Sequence, residues 1–279
     1  MDVYLLNLDR RPDRLAKCAA QLHKLGLPFV RVSAVDGQKP NAQVARVNLF
    51  KFIINNKRKP SRGELACAAS HISIWKQFLE SDSSHALVLE DDVKIHPQLK
   101  IFMTEFLDEL EIDFLNLSSN SPYKMNSQLL GHLVEQCSTR PAKQDRKARK
   151  KWRQLEFGRS WRIFKLYKLT TVGFVCECDP APALTSGYII SRKAAESFLE
   201  TSKDLFFPID YVWRYCTGTV RQGFLAEPIV VQEGGDSDIT GRSDQARMPL
   251  CYRLLRPFLK SRRLGRRLDV LRIYGLGKH

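Results

Sequence analysis

The stretch Ala86–Val93 reads Ala-Leu-Val-Leu-Glu-Asp-Asp-Val, and it constrains the fold of this chain more than any other feature. Its first four residues have the composition of a buried strand, and three carboxylates follow directly. Open α/β sheets bind their ligands outside the carboxyl ends of the strands, so acids at this position predict a ligand site. Carboxylate oxygens suit hard cations such as Mg²⁺ or Mn²⁺, which would offset the repulsion among the three charges. The alternative is a solvated strand end or a helix cap.

Strand geometry suggests how the three acids divide their roles. Alternate side chains of a strand share a face, so we expect Glu90 and Asp92 to point together and Asp91 to point away. Asp92 is the leading candidate for a metal ligand, and Glu90 is the candidate for a second one. A bend at the strand end would bring Asp91 into the site as well.

Strand and helix patterns alternate along most of the chain, which predicts an α/β fold with a mainly parallel sheet flanked by helices. Strands are expected at residues 3–8, 29–35, 86–93, 114–118, 172–178, 184–190 and 226–231. Helices are expected at residues 11–25, 63–79, 97–110, 192–199 and 209–215.

The positive charge is concentrated in two segments. The chain carries 45 Lys and Arg against 30 Asp and Glu, a formal charge of +15. Residues 140–168 hold a net +10 and residues 247–279 a net +9, so the rest of the chain is slightly acidic. A nucleic-acid enzyme more often has a basic cleft within its fold, so this distribution argues against nucleic acid as the partner. We expect one domain over 1–245, with a basic insertion at about 120–165, and a basic tail over 246–279.

The tail contains the pattern of a basic amphipathic helix. Leu264, Leu268 and Leu271 fall at i, i+4 and i+7, and four arginines between 262 and 267 occupy much of the remaining surface. Such a helix is typical of a segment that lies on an anionic membrane surface. Alternatively, the leucines pack on the domain and the arginines are solvated. Trp152 and Trp161 in the basic loop are candidates for anchors in the membrane interface or for a surface on which the acceptor binds. Alternatively, they cover the hydrophobic core.

Other sequence features bound the class of protein. No run of about 18 apolar residues predicts a membrane-spanning helix, and the start of the chain has no basic segment typical of a secretion signal. Seven cysteines without framework spacing are expected to be reduced and mostly buried. Together these features favour a cytoplasmic protein.

Five segments occur in one order that resembles glycosyltransferase family 25, which includes bacterial lipooligosaccharide galactosyltransferases and related collagen galactosyltransferase domains. They are Val3–Arg14, Gly63–His71, Leu87–Val93, Ser186–Ala194 and Pro208–Asp210. The resemblance covers roughly residues 3 to 240. It implies a GT-A type nucleotide-sugar fold, a divalent metal (Mn²⁺ or Mg²⁺), a UDP-sugar donor and inversion at the anomeric carbon.

The resemblance also implies roles for individual residues. Asp210 falls in the family's Pro-x-Asp position and is the candidate catalytic base, although an acid there also suits a helix start. The residues after the first strand match the part of the family sequence that binds the nucleotide. Amide, carboxylate and guanidinium groups there are suited to bind uracil, ribose and diphosphate, respectively. These donor-binding candidates are Asn7, Asp9, Arg10 and Arg14, and for Arg14 a surface position on the first helix is the alternative.

Five further donor-site candidates come from the other matched segments. Similar motifs suggest that Glu90 contacts the ribose or sugar as the alternative to binding the metal, and Asp91 is a donor-site candidate beside it. His71 is expected to line the pocket, although a lone histidine is more often structural. Ser186 and Gly187 suggest a close approach of the backbone to the sugar or acceptor, with a strand bulge as the alternative. Ser237 and Asp238 resemble the family's end motif, and which of their oxygens would reach a metal is open.

The resemblance implies an inverting hexosyltransferase, and the basic segments predict that it associates peripherally with the cytoplasmic face of an inner membrane. It would transfer a sugar, with galactose from UDP-galactose as the first expectation, to a lipid-linked lipooligosaccharide or lipopolysaccharide core. The anionic acceptor suits the basic segments. The alternatives are a glycosyltransferase with a protein acceptor and a non-enzymatic module that binds a polyanion such as nucleic acid.

Overall fold

The computed structural model describes residues 1–123, 155–156, 162–233 and 264–275. The described strands are β1 Asp2–Asn7, β2 Val30–Ser33, β3 His85–Glu90, β4 Val93–Ile95, β5 Phe114–Asn116, β6 Leu155–Glu156, β7 Arg162–Leu169, β8 Gly173–Asp179, β9 Gly187–Ser191, β10 Gln222–Leu225 and β11 Val230–Gln232. The described helices are α1 Pro12–Lys24, α2 Leu49–Asn56, α3 Arg62–Glu80, α4 Leu99–Glu109, α5 Arg192–Ser202, a 3₁₀ turn Ile209–Tyr211, α6 Val212–Tyr215 and α7 Leu264–Tyr274.

Within the described ranges, the central sheet has nine strands in the order β2-β1-β3-β9-β5-β10-β8-β7-β6. β1 pairs in parallel with β2 and β3, and β5 pairs in parallel with β10. β9 enters antiparallel between β3 and β5, and β8 runs antiparallel to both β7 and β10. The α/β class is therefore confirmed, but the sheet is mixed, whereas the sequence pattern predicts a mainly parallel one. Apolar content marks a strand as buried without specifying the direction of its neighbour.

Both faces of the sheet are buried because side chains alternate along its central strands. On one face, Tyr4 and Val88 pack in a core with residues of α3 and α5. On the other face, Leu5 and Leu89 pack with residues of α1 and α4. This double burial explains why β1 and β3 read as nearly continuous apolar runs.

Two expectations about individual strands and loops also differ from the structure. The predicted strand at residues 226–231 is replaced by two strands, Gln222–Leu225 and Val230–Gln232, on either side of a turn. The end of the basic stretch 140–168 is not a loop, since Arg162–Leu169 forms β7 and pairs with β8. Trp152, Trp161 and most of that stretch lie outside the described residues.

Helix α7 forms within the predicted amphipathic segment but presents a different face to the domain. Arg266 is only 2% exposed, whereas Leu268 is 57% and Leu271 is 41% exposed. Arg266 Nε donates to Asp179 Oδ2 at 2.6 Å. The helix therefore contacts the domain through a buried ion pair and keeps two leucines on its outer surface.

The docked face of α7 has further polar partners. The Arg266 guanidinium donates to the carbonyl oxygens of Gly218 and Val220, at 3.1 and 2.6 Å. Asp269 accepts from the backbone N–H of Gly218 at 2.8 Å. The hydroxyl of Tyr274 donates to Glu177 at 2.7 Å. Within the described ranges, no helix has the length and apolar character needed to span a membrane.

Candidate active site

A cavity of about 300 Å³ opens at the carboxyl ends of β1, β2 and β3. These three strands are parallel, so their carboxyl ends meet at one edge of the sheet. The N-terminal half of α3 forms the opposite wall, and its capping box between Ser61 and Glu64 defines where that helix begins. The lining residues are Leu6, Leu8, Arg10, Arg14, Ala34, Val35, Asp36, Gly37, Gln38, Arg62, Gly63, Ala66, Cys67, Ser70, Glu90, Asp91, Asp92 and Gln232.

All three acids of the Glu90–Asp92 cluster line this cavity, but strand alternation does not continue through them. β3 ends at Glu90, and Asp91 and Asp92 form the turn that leads into β4. Arg14 approaches both turn acids, with its Nη1 3.6 Å from Asp91 Oδ1 and 3.8 Å from Asp92 Oδ2. The bend at the strand end therefore brings Asp91 towards the same arginine as Asp92.

Asn7, the last residue of β1, holds the side chain of Asp91 in position. The Oδ2 of Asp91 accepts a hydrogen bond from Asn7 Nδ2 at 2.6 Å, and both residues are buried. Burial raises the pKa of Asp91, and the Asn7 hydrogen bond and the Arg14 charge offset this increase only in part. Asn7 thus lies beneath the cavity and positions an acid that lines it.

Asp92 has an oxygen that the described residues do not satisfy. Its Oδ2 accepts from Gln232 Nε2 at 3.0 Å, whereas its Oδ1 is buried without a hydrogen-bond partner among them. Burial, together with the nearby charge of Glu90, raises the pKa of Asp92. Burial and the charges of Asp91, Asp92 and Glu233 also raise the pKa of the Cys18 thiol to about 12. This corner is thus electronegative and suited to a cation.

The donor set fits a divalent ion of the magnesium type. Mg²⁺ usually takes one or two protein carboxylates and completes its shell with water and substrate phosphates. Asp91 and Asp92 offer two carboxylates beside a cavity large enough for a ligand, and one buried oxygen of Asp92 is left unsatisfied by the part of the chain that the structure describes. This arrangement favours a ligand-completed metal site over a closed protein cage.

Glu90 is held by several hydrogen-bond donors. Its Oε1 lies 3.2 Å from His71 Nε2 and accepts from Thr185 Oγ1 at 2.7 Å, and its Oε2 accepts from Ser186 Oγ at 3.4 Å. Burial opposes ionisation of Glu90, but these donors outweigh it and lower the pKa of the carboxyl. His71 and Ser186 do not line the cavity; both are fully buried and contact Glu90 from behind.

A second group of possible metal ligands lies on this wall. The ligand atoms of Cys67, His71 and Glu90 lie within 4.8 Å of one another. Sulfur and imidazole nitrogen would favour softer ions such as Zn²⁺ over Mg²⁺. Metal binding would require an unprotonated nitrogen on His71, which depends on the hydrogen bonds of its ring.

The residues after β1 separate into cavity-lining and exposed ones. Arg10 lines the cavity, and its Nε donates to Asp36 Oδ2 at 3.1 Å. Asp9 points to the exposed side, where it accepts from Arg31 Nη2 at 2.6 Å. Of the four predicted nucleotide contacts, Arg10 and Arg14 therefore line the cavity, while Asn7 and Asp9 lie outside its lining.

Several lining residues were missed by the sequence patterns, and the loop after β2 contributes five of them, residues 34–38. Arg62 holds this loop by donating to the carbonyl oxygens of Gly37, Lys39 and Pro40. A Cβ on Gly37 would lie 3.0 Å from the Arg62 carbonyl oxygen, so glycine allows the loop to approach α3. The Asp36-Gly37 pair at a strand end was the available signal for this contact.

The last two predicted residues lie outside the cavity lining. Gly187 is needed for protein packing, because a Cβ there would lie 2.6 Å from Val230 Cγ1. Asp210 belongs to the 3₁₀ turn, which contacts α3, and Pro208 rather than Asp210 occupies its N-cap position. The bond to Glu64 and, more weakly, the charge of Asp210 raise the pKa of Arg58. Ser237 and Asp238 lie outside the described residues.

Comparison with known proteins assigns this chain to a family. The sequence model of glycosyltransferase family 25 (LPS biosynthesis protein) matches residues 1–213. A "Glycosyltransferase 25 family member" of Aedes aegypti is 33% identical over 112 residues, which is 38% of this chain and 18% of the relative. Human "Procollagen galactosyltransferase 2" is 30% identical over 115 residues, or 39% of this chain and 18% of the relative.

The relatives do not all have the same activity. Human "Inactive glycosyltransferase 25 family member 3" is 29% identical over 121 residues, which is 41% of this chain and 20% of the relative. The match thus spans about a fifth of the length of these relatives. The family match covers β1, α3, β3 and the 3₁₀ turn. It also includes all the cavity-lining residues except Gln232, because the others lie within residues 1–213. On this match, the chain belongs to glycosyltransferase family 25.

Proposed function

We propose that this chain is an inverting, metal-dependent glycosyltransferase that transfers a hexose from a UDP-sugar. Galactose is the hexose that we propose first. The observation that carries the proposal is the buried Oδ1 of Asp92 beside Asp91 in the cavity, an oxygen for which the described residues supply no hydrogen-bond partner. An acid pair with raised pKa values at a strand end has no evident structural benefit, whereas it suits a cation that binds a diphosphate. The mixed sheet with acids at the end of β3 is compatible with the GT-A type fold that we assign.

Asp91 and Asp92 would hold the metal, which when bound would neutralise the charge that develops on the UDP leaving group. Arg14 and Arg10 line the same cavity and supply guanidinium groups for the diphosphate. Asn7 keeps Asp91 oriented, and Gln232 does the same for Asp92. The oxygens of Glu90 already accept from His71, Thr185 and Ser186, so we assign Glu90 to the sugar or ribose hydroxyls and not to the metal.

Inversion requires a base that removes the proton from the acceptor hydroxyl, and we assign this role to Asp210. Its 3₁₀ turn contacts α3, the helix that forms one wall of the cavity. The acid is only partly buried, as expected for a group that an acceptor must reach. Asp9 remains a candidate for the rim of the donor site, because its exposed carboxylate follows the same strand.

For the acceptor, we propose a lipid-linked, anionic saccharide of the lipooligosaccharide or lipopolysaccharide core at the cytoplasmic face of the inner membrane. The outer surface of α7 supports this assignment, since Arg267, Leu268, Leu271 and Arg272 are all exposed there. This combination of leucine and arginine suits an anionic lipid surface. A protein acceptor is the second candidate, because the human relative is named a procollagen galactosyltransferase.

The first test is a panel of UDP-sugars scored by UDP release with Mn²⁺, with and without EDTA. Galactose transfer to a purified lipooligosaccharide core is the expected outcome, and Asp92→Ala should reduce it by about 10²–10³-fold, as for loss of a group that stabilises developing charge. Asp108→Ala, at an exposed position on α4, is the matched control. No UDP release from any donor, or an unaffected Asp92→Ala, would refute the proposal.

The base assignment has a separate test. Asp210→Asn should retain UDP affinity while transfer falls by about 10²–10⁴-fold, the usual contribution of a well-placed base. Asp204→Asn, an exposed acid close by in the chain that pairs with Lys51, is the control for general charge effects. Equal transfer rates in the wild type and Asp210→Asn would exclude Asp210 as the base.

A further inference from the structure

A chain of buried hydrogen bonds leads from the core of the protein to the cavity wall. Trp75 Nε1 lies 2.9 Å from the hydroxyl of Tyr188, and that hydroxyl lies 3.0 Å from His71 Nδ1. His71 Nε2 in turn lies 3.2 Å from Glu90 Oε1. Trp75 and His71 are 0% exposed and Tyr188 is 1% exposed, so bulk water does not compete for the two bonds among these three residues.

The donor inventory gives this chain a direction. An indole N–H can only donate, so the oxygen of Tyr188 accepts from Trp75. Burial raises the pKa of Tyr188 well above its ordinary value, and the hydroxyl therefore keeps its hydrogen. Among the described contacts of that hydroxyl, His71 Nδ1 is the remaining polar atom, so Tyr188 donates to Nδ1. The histidine proton consequently lies on Nε2, which donates to Glu90.

We propose that Trp75, Tyr188 and His71 form a one-way hydrogen-bond relay whose role is to orient Glu90 for recognition of a ligand hydroxyl. Two donors saturate Glu90 Oε1, whereas within the described part of the chain Oε2 has only the long 3.4 Å bond from Ser186. Glu90 lines the cavity, so Oε2 is the oxygen that remains to accept a hydroxyl of a bound sugar or ribose. His71 is therefore a positioning residue, and the inference rests on the proposed nucleotide-sugar function.

The relay also bears on the group formed by Cys67, His71 and Glu90. A histidine that donates through Nε2 presents no lone pair to a metal at that nitrogen. The cavity wall therefore offers the Glu90 carboxylate as a hydrogen-bond acceptor, and we assign the cation site to Asp91 and Asp92.

The direction of the relay can be measured without any ligand. Nitrogen-15 correlation spectra report the tautomer of each of the six histidines, and the loss of one signal set in His71→Gln assigns His71. We expect the Nε2–H tautomer, with an imidazole N–H resonance that moves in Glu90→Gln. An Nδ1–H tautomer or a doubly protonated ring would overturn the relay.

The role in recognition is tested by the binding of UDP-galactose and of UDP. His71→Leu should weaken binding by about 10- to 100-fold, as for loss of a hydrogen bond to a charged group, whereas His71→Gln keeps a donor and should stay within about threefold. The double variant His71→Leu/Tyr188→Phe removes the orphaned hydroxyl and serves if the single variant unfolds. A loss for UDP-galactose alone would point to a hexose hydroxyl, and a loss for both ligands to the ribose.

These outcomes separate the relay from the proposed function. Equal binding by the Leu and Gln variants would overturn the positioning role of His71. A wild-type protein that binds neither ligand would contradict the nucleotide-sugar function, while the tautomer would still support or overturn the direction of the relay.

Discussion

The described part of the chain has an arginine beside aspartates at two partly or fully buried corners, and the two differ in how completely the charged groups are paired. At Asp179, the Arg266 guanidinium makes a 2.6 Å bond to the carboxylate and two more to backbone carbonyls. At Asp91 and Asp92, the Arg14 contacts are 3.6 and 3.8 Å long, and one buried oxygen has no described partner.

This difference separates a structural contact from a candidate site. A buried ion pair whose donors and acceptors are all satisfied can attach one element to another, as Arg266 attaches α7. A pair of acids that is poorly compensated destabilises the folded protein, and such a cost is typical of positions that bind a ligand. The two corners are therefore expected to respond oppositely when an acid or its partner is neutralised.

The largest expected effect is on the α7 corner. Arg266→Met should lower the free energy of unfolding by about 3–5 kcal/mol, because it leaves Asp179 buried without its ion-pair partner. Chemical denaturation measures this loss. Arg272→Met is the matched control on the same helix, since its pair with Asp269 is exposed on the arginine side and should contribute less than about 1 kcal/mol. A loss of similar size in both variants would remove the distinction between the two pairs.

The outer face of α7 is expected to give an intermediate effect. Leu268→Ala/Leu271→Ala should weaken binding to phosphatidylglycerol vesicles by about 10-fold or more, because two leucines no longer enter the lipid. Unfolding should change little, since both residues are exposed. Ile101→Ala on α4, where the side chain is 62% exposed, is the control. Unchanged vesicle binding in the double variant would refute the membrane role of this face.

The smallest effect is expected at the cavity, and its sign is opposite to that at α7. Asp92→Asn should stabilise the metal-free protein at neutral pH by about 0.5–2 kcal/mol, the usual range for a single stabilising substitution, while it reduces transfer. The reason is that burial raises the pKa of Asp92, so the charged form is disfavoured in the folded state.

The pH dependence sharpens this prediction. Because the pKa of Asp92 is raised in the folded state, the folded protein binds more protons than the unfolded one. Above the raised pKa, the charged Asp92 therefore destabilises the folded protein to its full extent. This destabilisation disappears as the pH falls below 3.8, the ordinary pKa of an aspartate. Denaturation in EDTA at neutral and acidic pH should therefore show the advantage of Asp92→Asn only at neutral pH. A destabilised variant at neutral pH would contradict an uncompensated acid corner.

Local patterns were sufficient for part of the site and failed for the rest. The order of strands and helices followed from apolar periodicity, and the acids at the end of β3 were recognised because carboxylates directly follow a buried strand. Alternation then paired Glu90 with Asp92, but the chain turns after Glu90, and periodicity does not indicate where a strand ends. The roles of Arg62, Asp36 and Gln232 depend on contacts between residues far apart in sequence.

The two basic regions show the same limit. The spacing of Leu264, Leu268 and Leu271 identified α7 as an amphipathic helix, yet the arginine at position 266 is the residue that faces the domain. A helical pattern specifies which residues share a face, but a buried acid such as Asp179 can make a basic face the docked one. Likewise, the basic composition of residues 162–168 concealed a strand that β8 stabilises by pairing.

The family, the alternating α/β elements and the acidic end of β3 could be predicted from the chain alone, because they depend on composition and on short-range spacing. The mixed direction of the sheet, the separate surroundings of Glu90 and the two aspartates, and the chain of hydrogen bonds from Trp75 to the cavity wall became apparent only in the folded protein. These features arise from hydrogen bonds between distant segments, and the direction of a hydrogen bond is specified only when both partners are in place.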